Sequence, residues 1–419
     1  MKIIQVTPSF KPAYIYGGTI QSIGKLCMAL NAKLQSAYFT IPDTFGFQER
    51  FRENTFEIKV LTTTANGRHE LEIDTGIPQI VDGTQVTYFK RWTKDHSHFS
   101  PALLWALRKE IVYCSIEDKI IIHIHAWWNL VSILSCCIAK WYKVPVVLSP
   151  RGMITYYTQN NRNSFAKKLI HNFIGKQLLR YCEIHATTEK EKQDILKIVI
   201  PKGMSVIPNL VSDGAGDPIS DLGEVKVENT IIAPAVEHGV FFKIIFLSRI
   251  EEKKGLDILF ESLAFLDVKW MLTIAGSGEA NYINSLKAKA EKLKIDKHII
   301  WVGQVADQNK FNLMAEHDLL TLPSYNENFG NVIIESLSVG TAVLVSDHVG
   351  LSDYVDQQKL GWISRLDVES IRQALLTAFS DHKKREIIRR TAPAIINRDY
   401  SDQVLISRYL NLYKSLVHE

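Results

Sequence analysis

Apolar positions along the chain form two kinds of segment that take turns. Short continuous runs such as "KIIQV", "DKIIIHIHAWW", "VPVVLSPRG" and "EIHATT" read as strands. Between them, "TIQSIGKLCMAL", "LVSILSCCIAKWY" and "FAKKLIHNFIGKQLLRYC" repeat apolar residues every three or four positions and read as helices. Strands without polar alternation, joined by helices, predict a parallel sheet covered on both faces. The pattern breaks over residues 209–242, rich in Gly, Pro, Asp and Ser, which predicts an interdomain connection. It then restarts with "FFKIIFLSR", "GLDILFESLAFL", "KWMLTIAG", "YINSLKAKAEKLKI", "HIIWVG", "DLLTLPS" and "AVLVSD". The predicted fold class is α/β, with two doubly wound Rossmann-like domains at residues 1–208 and 209–390. "SDQVLISRYLNLYKSLVHE" closes the chain as an amphipathic helix within 391–419.

Length and composition agree with this division. The 419 residues exceed one ordinary core, and 46% apolar with 22% charged residues describes a globular protein. No apolar run reaches the roughly 18 residues of a membrane span, and "MKIIQVTPSF" does not read as a secretory signal. The five cysteines lack metal spacing, which predicts a reducing, cytoplasmic setting and no metal site. Charge is uneven. Residues 1–210 hold 26 Lys and Arg against 16 Asp and Glu, and the remainder 23 against 29, so different partners are expected for the halves. Phosphorylated or membrane-surface acceptors suit the basic half. Nucleic acid does not, since no Lys/Arg run or RNA-binding signature occurs.

Ligands of doubly wound sheets bind beyond the carboxyl ends of the strands, which selects the candidate residues. In "LPSYNENFGNVIIESLSVG" the strand ends near Ser324, a loop carries Glu327, Asn328 and Phe329, and a helix starts near Gly330. The free amides from Phe329 through Gly330 and Asn331 to Val332 make a phosphate site. Glu335, one turn in, reaches the hydroxyls of a ribose, and Glu327 those of a group beyond the phosphate. Arg249 and Lys254, at another strand end, can neutralise a diphosphate and the charge developing on a leaving group. Gly276 and Val302-Gly303 end the next two strands, where backbone and ligand can approach closely. His123 and His125 share one strand face, with His125 nearer the carboxyl end. Arg151 in "LSPRGM" suits either an acceptor phosphate or carboxylate or a structural ion pair.

In this combination the chain resembles the family-four retaining glycosyltransferases of GT-B architecture, two Rossmann-like domains facing across a cleft. The matching motif is an Arg…Lys pair followed by E-x7-E: Arg249, Lys254, Glu327 and Glu335. "PSFKPAYIYGGTIQSIGKLCMAL" looks like the family's opening strand and loop, and "HIHAWW" like its strand ending in histidine. The resemblance implies a nucleotide diphosphate sugar such as a UDP- or GDP-sugar as donor, with no cofactor and no metal. Glu335 would hold the ribose, Glu327 the transferred sugar, and Gly17-Gly18 would lie against the phosphates. His125 would contact the donor sugar, and Arg249 and Lys254 would stabilise the departing nucleoside diphosphate. Front-face substitution would retain anomeric configuration, the leaving phosphate helping to deprotonate the acceptor hydroxyl. The C-terminal helix would cross back to the first domain.

"SPRGM" with "ENFGNV" looks like the branch that builds bacterial surface polysaccharide, namely O-antigen, capsule or exopolysaccharide. The expected acceptor is a glycan or lipid-linked molecule. The basic helix 163–182 is open to core packing or to docking on an anionic membrane surface at the inner face of the cell membrane. Residues 40–100 lack the family's landmarks. Two alternatives share the architecture: a nucleotide-sugar 2-epimerase and a non-catalytic assembly partner. The four motif residues favour transfer, and a nicotinamide dehydrogenase lacks its G-x-G-x-x-G after the first strand.

Overall fold

The computed structural model describes residues 1–39, 56–114, 119–155, 174–212 and 241–417. Most of the basic helix 163–182 and of the connection 209–242 lie outside the described residues. The chain divides into a first unit, Met1–Val211 with Tyr400–Glu419, and a second unit, Ser212–Asp399.

The sheet of the first unit is built from β1 (Lys2–Thr7), β2 (Glu57–Thr63), β5 (Pro78–Val81), β6 (Thr84–Phe89), β7 (Ile120–His125), β8 (Val146–Ser149), β9 (Glu183–Ala186) and β10 (Gly203–Val206). Its order is β10-β9-β8-β7-β1-β2-β6-β5, and a small hairpin, β3 (Ala65–Asn66) with β4 (His69–Glu70), stands apart. All described pairings in the sheet are parallel except β5 with β6. The antiparallel edge differs from the expected all-parallel sheet. β5 is four residues long and alternates exposed with half-buried positions, so it leaves no continuous apolar run to read.

One face of this sheet is covered by α2 (Pro101–Val112) and α3 (Leu130–Trp141), the other by α1 (Gly18–Phe39). The caps show why these helices start where they do. Pro101 follows the Ser100 cap of α2, and Asn129 Oδ1 accepts from the Ser132 amide at 2.8 Å to open α3. Leu103, Leu107 and Ile111 of α2 repeat every four residues and enter the core formed with Ile4, Val6, Ile122 and Ile124. Shorter helices α4 (Lys176–Tyr181) and α5 (Glu189–Leu196) follow.

The second unit has six parallel strands, β11 (Phe242–Leu247), β12 (Trp270–Ala275), β13 (Ile299–Gly303), β14 (Leu319–Leu322), β15 (Ala342–Ser346) and β16 (Gly361–Ser364). They lie in the order β13-β12-β11-β14-β15-β16. The connections run outward from β11 and then return to its other side at β14, so β11 and β14 flank the switch point where such sheets bind ligands. The helices of this unit are α6 (Leu256–Ala264), α7 (Ala280–Lys292), α8 (Asp307–Ala315), α9 (Asn331–Ser338), α10 (Ser352–Gln357), α11 (Val368–Ser380) and α12 (His382–Tyr400). Residue 391 lies inside α12, and the chain rejoins the first unit at Tyr400. α13 (Asp402–Ser415) then lies beside α1, where Lys25 pairs with Asp402 at 3.3 Å. Its stripe of Leu405, Ile406, Tyr409, Leu412 and Tyr413 is buried, as the helical period of the sequence predicts.

Candidate active site

At the switch point of the second unit, β11 leads through Ser248 and Arg249 into a short turn at Glu252–Lys254. Gly255 ends that turn with φ 74°, and a Cβ there would sit 2.0 Å from the Pro323 carbonyl oxygen. Glycine is therefore required for the turn to press against the end of β14. The Tyr325 amide, donating to the Lys253 carbonyl at 2.8 Å, secures the same contact. Lys254 is thereby buried beside the loop after β14, and its ammonium donates to Glu327 Oε2.

That loop is held from its other side as well. The Gly350 amide donates to the Glu327 carbonyl at 2.8 Å, and Ser346 Oγ to the Ser324 carbonyl at 2.6 Å. Gly330 then opens α9 with φ 85°, a left-handed start that suits glycine and aims the first helical amides past the loop. Glu335 lies in the second turn, buried, and accepts from Lys310 Nζ at 3.0 Å. A buried carboxylate stays ionised only beside such a partner, and its remaining lone pairs can still accept hydroxyl donors. Arg249 is more exposed and pairs with Glu251 at 2.7 Å. Burial alone would raise the Glu251 carboxyl, yet Arg249 and Lys253 hold it below its ordinary value. Four cations and three carboxylates thus meet around the ends of β11 and β14, Glu251 with Arg249 and Lys253, Glu327 with Lys254 and Glu335 with Lys310, an arrangement fitted to a ligand carrying both phosphate and hydroxyls.

The carboxyl end of the first unit's sheet is organised differently. His123, His125 and His185 are all fully buried. The hydrogen bonds among them form one directed chain. Arg151 Nη2, which can only donate, reaches His125 Nδ1 at 3.4 Å, and His125 Nε2 donates to Gln5 Oε1 at 2.7 Å. Gln5 Nε2 continues to Tyr413 at 3.3 Å, Tyr413 to His123 Nδ1 at 2.7 Å, and His123 Nε2 to Ser149 at 2.7 Å. Ser149 donates to His185 Nδ1 at 2.6 Å, and His185 Nε2 to the Ile207 carbonyl, which can only accept, at 2.7 Å. Donor-only and acceptor-only ends assign every proton between them, so each imidazole is neutral with its hydrogen on Nε2. Burial pushes all three imidazoles down, His185 to about 3, and Arg151 adds to the effect. Arg151 also donates to Asn209 Oδ1, and it turns with φ 56°, uncommon for a residue bearing a side chain.

Two family models match the chain, Glycosyltransferase Family 4 over residues 46–214 and Glycosyl transferases group 1 over residues 231–394. This chain is a family-four-like glycosyltransferase of GT-B type. An uncharacterised glycosyltransferase of Methanocaldococcus jannaschii is 23% identical to it over 366 residues, which is 83% of this chain and 90% of that one. The N-acetylgalactosamine-N,N'-diacetylbacillosaminyl-diphospho-undecaprenol 4-alpha-N-acetylgalactosaminyltransferase of Campylobacter jejuni is 24% identical over 56% of this chain and 60% of its own. Among solved structures, Anabaena HepE in complex with UDP and glucose superposes with a TM-score of 0.68 at 16% identity, covering 99% of this chain and all of that one. That likeness is one of fold.

In this glycosyltransferase the structure brings Arg249, Lys254, Glu327 and Glu335 to the ends of β11 and β14 and the start of α9. Asn328 and Phe329 lie in the same loop, Phe329 with its ring buried, and Asn331 and Val332 form the first turn of α9. Gly276 and Gly303 end neighbouring strands and are joined, the Gly276 amide donating to the Gly303 carbonyl at 2.7 Å, with Val302 just before in β13. Gly17 and Gly18 belong to the first unit, at the start of α1. His125 and Arg151 meet at the ends of β7 and β8. Reading the sequence missed Lys310, Glu251, Gln5 and Asn209. Lys310 left one signal: with Met314 it forms an i, i+4 pair on the buried face of α8, where a lysine needs a partner. Among the described residues no group of His, Cys, Asp and Glu has metal-binding geometry, and no helix is long and apolar enough to cross a membrane.

Proposed function

We propose that the protein is a retaining, metal-independent glycosyltransferase that moves a sugar from a nucleotide diphosphate sugar to a hydroxyl of a glycan or lipid-linked acceptor. Its place would be bacterial surface polysaccharide synthesis, in the cytoplasm at the inner face of the membrane. The observation that carries this reading is the pairing of Lys254 with Glu327 and of Lys310 with Glu335 at one switch point. Glu335, steadied by Lys310, accepts from the ribose hydroxyls. Amides of the Asn328–Val332 segment, with Gly276, Val302 and Gly303 behind them, approach the nucleotide and its phosphates.

When the diphosphate departs, negative charge grows on the oxygen that leaves the anomeric carbon. Arg249 and Lys254 supply positive charge there without needing a divalent ion. Glu327, now relieved of part of its hold on Lys254, accepts from hydroxyls of the transferred sugar. The acceptor hydroxyl attacks the same face, its proton passing to the departing phosphate, so configuration is retained. Arg151 binds an anionic group of the acceptor, and His125 behind it fixes the guanidinium through Nδ1. The undecaprenol-linked substrate in the name of the Campylobacter relative supports a lipid-linked acceptor. UDP in the HepE complex supports a nucleotide donor.

Thermal unfolding with UDP, GDP, ADP, CMP and their sugars, in chelator, tests this. A ligand present at about 100 times its dissociation constant adds about 2.7 kcal/mol of stability. One nucleotide should raise the midpoint clearly, and the matching sugar should then be consumed when acceptor is added. Absence of any shift in folded protein would count against the reading.

A further inference from the structure

Between β6 and α2 the chain makes a loop, residues 90–99, at the carboxyl end of the first unit's sheet, the end at which such sheets bind ligands. Its Trp92 is 75% exposed. Tryptophan is ordinarily well buried, and this one is held in the open. Its ring meets that of Phe99 at 5.9 Å and 86°, and its amide donates to the Phe99 carbonyl at 2.7 Å. Arg91, next to it, is buried and donates to Glu70 Oε1 at 2.7 Å and to the Gly67 and His69 carbonyls at 2.8 and 2.9 Å. A second set of bonds fixes the tip. The Phe99 amide donates to Thr93 Oγ1 at 2.9 Å, the Thr93 hydroxyl to Ser97 Oγ at 2.6 Å, and the Ser97 hydroxyl to Asp95 Oδ1. The Ser97 carbonyl accepts from the Leu130 amide at 2.8 Å, so the loop reaches from the end of β6 to the start of α3. Bonds from Ser97 hold the exposed Asp95 carboxyl below its ordinary value, which leaves an ionised acceptor facing water.

We propose that this loop is a saccharide subsite, in which Trp92 receives the C–H face of a pyranose ring of the acceptor and Asp95 accepts from hydroxyls of that ring or the next. A pyranose presents a face of C–H groups that packs on an aromatic ring, and a rim of hydroxyls that need polar partners. An exposed ring alone would suit any apolar group. The ionised acceptor in the same braced loop selects a polyhydroxylated one, and the bracing spares the ligand the cost of ordering the loop. Trp92 and Arg151 do not serve the same group. β6 lies four strands from β8, roughly 19 Å at the usual strand spacing, which is wider than a single sugar ring. The acceptor inferred is therefore an oligosaccharide that lies along the strand ends, with one ring on Trp92 and its anionic end toward Arg151. This deepens the glycan-acceptor reading and rests on it.

The full chain is applied, with and without UDP, to an array of bacterial surface oligosaccharides and of glucose, galactose, mannose and N-acetylglucosamine oligomers. Capture by a subset of the oligosaccharides, and weaker capture by the matching monosaccharides, is expected. Titration with the best of them should show Trp92→Ala lowering affinity roughly tenfold or more, while Trp92→Phe keeps much of it. Asp95→Asn should lower it several-fold. Each variant should keep the thermal midpoint and any nucleotide-induced shift of the native chain, which separates loss of a ligand contact from loss of fold. The chain is also labelled with 5-fluorotryptophan, and of its eight tryptophans Trp92 is assigned by the fluorine resonance that Trp92→Phe removes. That resonance should move when the oligosaccharide is added. No capture of any oligosaccharide by the native chain, or Trp92→Ala binding as the native chain does, would overturn the proposal. A nucleotide shift without glycan capture would leave the donor reading standing and sink this one, and Trp92-dependent capture without any nucleotide shift would do the reverse.

Discussion

The carboxyl ends of the two sheets are the same place in the same kind of fold, yet they hold polar groups in opposite ways. In the second unit, cations and carboxylates meet directly, Glu251 with Arg249 and Lys253, Glu327 with Lys254 and Glu335 with Lys310. In the first, a single arginine leads a chain of neutral imidazoles, hydroxyls and an amide that runs through the interior to a backbone carbonyl. Charge pairs can be opened by a ligand that brings its own charge, because a phosphate replaces a carboxylate beside a lysine. A neutral chain with every proton assigned has no such exchange to make, and its role is to hold positions. The difference separates charge pairs that a nucleotide should open from a neutral chain behind Arg151 that should keep its arrangement when a ligand binds.

The largest effect should come from the pair the sequence did not announce. Lys310→Met leaves Glu335 buried without its cation and should cost roughly 3–5 kcal/mol, read as a drop in the second unit's unfolding midpoint. The double variant Lys310→Met/Glu335→Gln should recover most of that stability while still binding nucleotide poorly. Recovery of both together would mean that the pair serves the fold alone.

Lys254→Ala should lower turnover by roughly 10²–10³-fold, the cost of losing one preorganised group facing a developing anion. Its circular dichroism should stay native. Turnover near the native value would place the leaving group elsewhere.

Acid should separate the two regions further. His123, His125 and His185 titrate lower in the folded chain than the ordinary 6.5, so between the two values the unfolded chain binds more protons. Stability from the first unit is therefore complete above about pH 6.5. It falls as pH drops, by about 1.4 kcal/mol per pH unit for each histidine that stays neutral. For His185 the loss continues down to about pH 3. Urea midpoints at several pH values check this, and a midpoint flat from neutral to mildly acid pH would contradict it.

Smallest of all, Glu251→Gln should change stability by less than about 1 kcal/mol, since Arg249 and Glu251 both reach solvent. A larger loss would show that the exposed pair is as structural as the buried one.

The sequence made some of this contrast readable and concealed the rest. Glu327, Glu335, Arg249 and Lys254 could be selected because each stands at or just beyond a strand end, and the strands of the second unit are clear apolar runs. Alternation put His123 and His125 on one face, but nothing local said what would cover that face. The cover is α13, whose Tyr413 meets His123 from 290 residues away. Lys310 stayed hidden for a related reason: nothing near it in "DQNKF" names a partner until Glu335 arrives beside it from another helix. β5 left no run to read because this edge strand is four residues long and exposed at every other position. Local pattern exposes elements and strand ends, whereas pairings between distant elements depend on the assembled fold.

On this reading the second unit receives a nucleoside diphosphate between the Lys254 turn and the start of α9. Hydrogen exchange of the backbone amides, with and without the nucleotide that stabilises the chain, tests it most directly. Exchange should slow at Asn328–Val332 and around Arg249–Gly255, and the histidine-bearing strands β7 and β9 should be unchanged. Protection confined to other segments, with these amides exchanging as in the free protein, would contradict it.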